Sequence, residues 1–293
     1  MTAYLIAVLT IAAIYSLLTL GLNLQYGMTG IINFGHVGFF CVGAYASALL
    51  TVKGWPPVAG FALAAVLAGA CAWPLGLVSL RLRDDYFAIV SLGFSEIVRL
   101  VVTSEGWLTG GVQGVAGVPK LFAGLGPSAG VALLAALVVV NLLAALALLR
   151  IARSPFGRVI EAIRDNEDAV KALGKDPARF KMQSLALGAA LAGVSGAFYA
   201  HYIGYISPDQ FTPLVTFQIW MALVMGGVGR VWGAVLGAGL LMALLEGSRF
   251  LRDVAPFISE VSMASVRLGA VGLLLILFTL YRPQGLVGDE ARK

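Results

Sequence analysis

The residues best equipped for chemistry in this 293-residue chain stand inside apolar sequence. Asn23, Gln25, Asn33 and His36 form the densest polar group, and Gly21, Gly27, Gly30, Gly35, Gly38 and Gly43 surround them. Polar side chains in hydrocarbon are expensive, so each is a candidate for function. The glycines permit unwound backbone, which survives at membrane depth only when buried in protein or lining a cavity. Two readings stay open: the four residues line a substrate passage or gate, or they hydrogen-bond neighbouring helices to one another. His36 by itself marks neither a metal nor a proton site. Glu96 and Arg99 stand three residues apart, on one face of a helix, where opposite charges neutralise each other. A structural ion pair is the simpler reading, and contact with a zwitterionic substrate is the alternative. Gln218 is a further candidate for the path.

Other chemistries lack their residues. The sequence holds no H-E-x-x-H zinc motif and no G-x-S-x-G nucleophile elbow. A phosphate-binding loop needs G-x-x-x-x-G-K-[ST]. The only Gly-Lys pair is Gly174-Lys175, with Asp176 after it and Ala169 at the first glycine position. The chain is therefore expected to be no enzyme, to bind no metal or cofactor, and to hydrolyse no ATP. Cys41 and Cys71 lie in apolar runs, where a reduced, packed thiol is the default.

The elements that must hold these residues are membrane helices. Hydrophobic residues make up 59% of the chain and charged residues 12%, and the first 52 residues contain no Lys, Arg, Asp or Glu. Globular chains carry about 25% charged residues, so too few remain here to coat a soluble surface. A helix needs about 20 apolar residues to cross a bilayer. Such runs lie near 3–24, 31–52, 57–80, 86–103, 129–150, 181–204, 212–228, 231–248 and 263–281. This predicts an all-α polytopic membrane protein of about nine transmembrane helices, within a range of eight to ten. The runs at 31–52 and 212–228 are the weakest, and either reads equally as broken or re-entrant.

Charge orients the spans. With 151–180 in the cytoplasm, 14 Lys and Arg residues fall on that side and four on the other, with Arg99 and Arg267 inside spans. Basic residues favour the cytoplasm. The N-terminus is then outside, the C-terminus inside, and the basic residues imply no nucleic acid. Two glycine rows, Gly229-Gly233-Gly237 and Gly188-Ala192-Gly196, recur every fourth residue, a spacing that lets helices approach closely. They suit packing within one bundle or a seam with another subunit. The segment 104–128 reads as an extracytoplasmic Gly-rich loop, by composition a plain tether.

One polar segment interrupts the spans, 151-IARSPFGRVIEAIRDNEDAVKALGKDPARF-180. Ser154 caps and Pro155 opens a helix running to about Arg164. Asn166 caps a second, Glu167 and Asp168 suit its positive end, Gly174 ends it and Pro177 prevents resumption. Ile160, Ile163, Val170 and Leu173 form an apolar set facing the membrane domain or another protein. The mixed charges favour a protein partner over a lipid surface, although lipid head groups stay in play.

This segment resembles the loop by which permeases of ABC importers dock on their ATPases. The resemblance extends through 21-GLNLQYGMTGIINFGHVGFFCVGAYASALL-50, 82-LRDDYFAIVSLGFSEIVRLV-101, 109-TGGVQGVAGVP-119, 154-SPFGRVIEAIRDNEDAVKALGKDP-177, 193-GVSGAFYAHYIGYISPDQF-211 and 225-MGGVGRVWGAVLGA-238. Together these stretches look like the LivM-type permeases of branched-chain amino acid importers, over most of the chain and in the expected order. The resemblance implies a single permease domain over 1–293 in a bacterial inner membrane, with a two-helix cytoplasmic coupling loop at 151–180 and, as the alternative to a tether, an extracytoplasmic gate or docking surface at 104–128. It implies a second, LivH-type permease as heterodimer partner, two cytoplasmic ATPases carrying ATP and Mg, and an extracytoplasmic substrate-binding protein. Coupling to the ATPase would fall to Ser154, Pro155, Gly157, Arg158, Glu161, Ala162, Arg164, Asp165, Asn166, Ala169 and Gly174. The E-A-A signature of many importers, with glycine three residues on, is incomplete, since Ile163 follows Glu161-Ala162. Related permeases carry urea, short amides or aromatic carboxylates. An ion-coupled secondary transporter is the alternative from another class, but it would need an intramembrane ion site and usually an internal repeat.

Overall fold

The structure, a computed structural model, describes residues 2–79 and 84–254, and positions 269, 272–273, 276–277, 280–282 and 284–287. The long helices among them are α1 (Thr2–Leu22), α2 (His36–Val52), α3 (Pro57–Ser79), α4 (Asp84–Ser104), α6 (Ala129–Arg153), α9 (Pro177–Ile203), α10 (Pro213–Gly226) and α11 (Val231–Val254). Short helices α5 (Gly106–Thr109), α7 (Pro155–Asp165) and α8 (Glu167–Ala172) lie between them, and a π-helical turn, Asn23–Met28, continues α1. The chain is all-α and polytopic. Five described helical stretches are long and apolar enough to cross a membrane: Thr2–Met28, Pro57–Leu77, Tyr86–Ser104, Ala123–Arg153 and Pro177–Ile203. Pro208–Gly226 and Val231–Glu246 are bent by 119° at the break between them and pass the same test only as a pair, as a broken span or a re-entrant loop, while His36–Val52 is a shorter apolar helix.

Several expected boundaries move. Residues 29–35 are irregular, so the run at 31–52 is helical only from His36. The break comes from Gly30, at φ +81°, and from the polar groups around it. α8 does not resume, and Pro177 also opens α9 at its first turn, where a missing N–H costs nothing; Asp176 caps it by accepting from the Ala178 amide. The span therefore begins four residues before 181. Residues 212–228 and 231–248 form the bent pair α10 and α11. The run at 263–281 lies largely outside the described residues, as do Arg81, Arg83, Arg267, Arg292 and Lys293.

Helix α9 is the centre of the bundle and packs on α1, α2 and α3. Just over half of its most apolar stretch is buried, as for Thr2–Met28, against 28% for α3 and for α4. The small residues of α9 make this possible. A Cβ on Gly188 would lie 2.6 Å from the Gly21 carbonyl oxygen of α1. One on Gly196 would strike Phe40 of α2, and one on Gly193 the backbone of α3 at Ala64. The Gly188–Gly196 row thus serves packing inside this chain. Gly233 and Gly237 likewise seat α11 on Gly226 and Ala222 of α10. Gly229 departs from that row: it lies before α11, in the turn after α10, at φ +81°.

The loop 104–128 is more than a tether. Its strand β1 (Val115–Ala116) pairs antiparallel with β2 (Tyr205–Ile206) after α9. The Tyr205 hydroxyl donates to the Gln113 carbonyl at 2.7 Å, and His201 meets the Pro119 carbonyl at 2.6 Å and Ser47 Oγ at 3.0 Å. Gly114 is required where the strands meet, because its φ is +70° and a Cβ would strike Ile206.

A methyl at Gly43 would drive into the Gly193 backbone, whereas one at Gly93 on α4 meets nothing within 4 Å among the described residues. Gly43→Ala is expected to lower stability in detergent by about 1–3 kcal/mol through overpacking. Gly93→Ala is expected to be neutral or to stabilise by up to about 1 kcal/mol through helix propensity. Thermal unfolding of the two purified variants checks both.

Candidate functional site

The polar group of the first spans assembles around the break between α1 and α2. Asn23, Gln25, Asn33 and His36 are all fully buried. Asn33 Nδ2 donates to Gln25 Oε1 at 2.8 Å, and Gln25 Nε2 donates to the Leu185 carbonyl of α9 at 3.0 Å. Asn33 Oδ1 accepts from the Gly35 amide at 2.9 Å, which closes the chain into the start of α2. His36 Nε2 faces the Leu18 carbonyl at 3.2 Å, so the proton belongs on Nε2. Asn23 Oδ1 accepts from the Gly229 amide at 2.9 Å and ties the π-helical turn to the α10–α11 corner. Asn23 Nδ2 and His36 Nδ1 have no hydrogen-bond partner among the described residues.

Three neighbours were missed in the sequence. Ser91 Oγ of α4 accepts from the Phe34 amide at 3.0 Å. Thr216 Oγ1 of α10 accepts from the Val37 amide at 3.0 Å, and Trp220 Nε1 donates to the Asn33 carbonyl at 3.0 Å. Thr216 and Trp220 are one helical turn apart on α10, a signal the sequence offered. The Trp220 ring also packs on Tyr26 and Phe34, with centroids 4.4 and 5.3 Å away. Five elements, α1, α2, α4, α9 and α10, thereby share the hydrogen bonds of this junction, and α4 and α10 bond the irregular residues Asn33 and Phe34 directly. Each bond satisfies a backbone or amide group that hydrocarbon would leave bare.

Glu96 and Gln218 are not part of this set. Glu96 Oε2 takes two bonds from Arg99, at 3.0 and 2.8 Å, as a pair along α4 with both side chains about one-third exposed. Gln218 is partly buried on α10, on a different face from Thr216 and Trp220.

Segment 151–180 forms the two helices expected. Ser154 Oγ accepts from Gly157 at 3.2 Å and Asn166 Oδ1 from Ala169 at 3.0 Å, each capping its helix. Gly174 ends α8 at φ +75°. Ile160, Ile163 and Val170 are buried, but Leu173 is 79% exposed at the end of the segment and leaves the apolar set. Of the coupling candidates, Pro155, Arg158, Ala162, Asp165, Asn166 and Ala169 are exposed, while Gly157 is buried under α6. Glu161 and Arg164 lie on the inward side, and Arg164 Nη1 donates to the Gly27 carbonyl at 2.7 Å. Glu167 anchors α8 to α9 through Lys181 at 2.7 Å, with Lys171 at 3.1 Å on its other oxygen. Burial opposes the Glu167 charge, but the two ammonium groups outweigh it and hold the carboxyl below its ordinary value. Among the described residues, no cluster of His, Cys, Asp and Glu is arranged to hold a metal.

A helical bundle with a span broken at a buried polar junction, and a capped helical hairpin between two long apolar helices, defines a polytopic membrane protein. Residues 4–279 match the family described as branched-chain amino acid transport system, permease component, and the chain belongs to that family. It is 34% identical to the LivM permease protein of the high-affinity branched-chain amino acid transport system of Escherichia coli K12, over 95% of this chain and 68% of that protein. It is 30% identical to the LivH permease protein of the same organism's system, over 95% of this chain and 92% of that one. The probable LivM permease of Methanocaldococcus jannaschii is 29% identical over 94% and 91%. No solved structure matches significantly.

Asn33→Leu leaves Gln25 Oε1 and the Gly35 amide buried without partners. The expected loss is about 1–3 kcal/mol for each stranded group, read as a fall in the detergent unfolding midpoint. A second expectation concerns pH. A carboxylate whose folded pKa is depressed adds stability above its unfolded value, near 4.3, and loses it as pH falls through the folded value. The stability gap between the wild type and Lys181→Met should therefore be widest near neutrality and narrow as pH falls below about 4. A gap that stays constant with pH would exclude the Glu167 pair as its source.

Proposed function

We propose that this chain is one of two unlike permease subunits in an ATP-driven importer of branched-chain or related hydrophobic amino acids. The family match over residues 4–279 carries this reading, because the relatives include both LivM and LivH permeases. On this reading the chain is a single permease domain with nine spans in a bacterial inner membrane, its N-terminus outside and its C-terminus in the cytoplasm. It supplies half of the path and has no ATPase of its own. ATP and Mg are held by two cytoplasmic subunits, which dock on 151–180, and a substrate-binding protein delivers cargo outside, near 104–128. The exposure of Arg158, Ala162, Asp165, Asn166 and Ala169 supports that docking, since it leaves these residues of the hairpin open to a partner.

Alternating access follows from the same arrangement. ATP-driven closure of the ATPases displaces the hairpin, and the spans change sides because the two nucleotide states bind it unequally. The junction around Asn33 is where a rearrangement would be felt first, since five elements share its hydrogen bonds.

Purification of the tagged chain from its native host in mild detergent tests the assembly, followed by uptake of labelled leucine into proteoliposomes. The expected result is recovery of two ATPases and a second permease, with uptake that requires ATP and the binding protein. A chain recovered alone, with uptake driven by an ion gradient, would overturn the reading. ATP-dependent uptake of urea or an aromatic acid instead of leucine would overturn only the substrate class.

A further inference from the structure

At the end of the interrupted first span, backbone carbonyls run short of helical partners, as at any helix C-terminus. Leu24 is satisfied by Thr29 Oγ1 at 2.9 Å, Gln25 by the Ile31 amide at 2.8 Å and Tyr26 by the Gly30 amide at 2.9 Å. All three donors lie in the residues that directly follow the π-helical turn. The Gly27 carbonyl takes its bond from Arg164, 137 residues further along the chain. A guanidinium from the α7–α8 hairpin thus caps the end of the first span. A cation at a helix C-terminus also opposes the negative end of its dipole.

We propose that Arg164 carries movement of the hairpin into the first span and is not a contact with the ATPase; the proposal rests on the importer reading. Arg164 is fastened to its own helix, with Nη2 3.0 Å from Asp165 and 3.9 Å from Glu161, so displacement of α7 displaces the guanidinium. Its stem lies against Gly30, where a Cβ would come within 3.1 Å of Cγ, and its Nη1 borders Gly229 of the α10–α11 corner. Asn23 already binds that corner, so one side chain touches both ends of the junction. A cavity of about 190 Å3, lined in part by Gly27, Glu161, Arg164, Gly229 and Arg230, leaves room for the guanidinium to withdraw.

What Arg164 holds is suited to switching. The turn it caps is π-helical, a geometry that is rare and occurs mostly at functional sites. Loss of the Gly27 bond frees the turn to tighten toward α geometry, which shifts Gln25 against both Leu185 and Asn33. The hairpin and the polar junction are then coupled through one hydrogen bond and one register change.

Arg164→Met tests this, because methionine keeps the stem over Gly30 and removes every donor. The readouts are ATPase capture, ATP hydrolysis and leucine taken up per ATP in the reconstituted complex. The expected result is capture and hydrolysis as in the wild type, with uptake per ATP about tenfold lower (a loss of roughly 1.4 kcal/mol of coupling). Arg164→Lys, which can still reach the carbonyl, is expected to restore most of the uptake. Unchanged uptake per ATP in Arg164→Met overturns the proposal, and so does loss of ATPase capture, which would make Arg164 a docking residue. A wild-type chain that captures no ATPase overturns the importer reading itself.

Discussion

An N–H or C=O group in hydrocarbon must find a partner within the protein, and the rest of this structure is arranged around one place where that is hardest. Between Met28 and His36 the chain gives up helical hydrogen bonding inside an otherwise apolar bundle. The exposed groups are recovered one at a time, by Thr29, Asn33, Ser91, Thr216, Trp220 and Arg164. Those donors and acceptors come from α4, α7 and α10 as well as from the segment itself. A local defect in the backbone thereby sets how distant helices meet.

Helix α9 makes the arrangement compact. Its small residues admit α1, α2 and α3 to backbone contact on different faces, which no larger side chain would allow. Lipid tails are as apolar as leucine, so the gain comes from dispersion and hydrogen bonding over closely matched surfaces. Gln25 exploits the closeness, since its amide reaches the Leu185 carbonyl only because Gly188 leaves space beside it. Packing and the polar junction are therefore one design.

The hairpin α7–α8 joins that design from outside. Its buried residues Ile160, Ile163 and Val170 bind it to the bundle, Glu167 pins it to Lys181, and Arg164 reaches the end of the first span. The family to which the chain belongs consists of transport permeases, and a rigid hairpin with one exposed side and one anchored side suits transmission of force. The pair Glu96–Arg99 stays apart from this machinery, as a local pairing on the open side of α4.

Much was legible in the sequence because it depends on short-range rules. Apolar run length identified the helices, the caps at Ser154 and Asn166 identified the hairpin, and the cluster Asn23, Gln25, Asn33 and His36 identified the junction. The same rules missed that Pro177, which keeps α8 from resuming, also opens α9. They also counted Gly229 in a helix-packing row, whereas a positive φ puts it in the corner before α11. The partners of the junction, Ser91, Thr216, Trp220 and Leu185, lie from 57 to 187 residues from the groups they bind. Nothing in local composition ties such positions together. Composition and periodicity by themselves determined an all-helical membrane protein with a polar interruption and a capped hairpin. Only the tertiary structure decided which carbonyl Arg164 would cap, because that bond exists only once α7 and the first span are packed side by side.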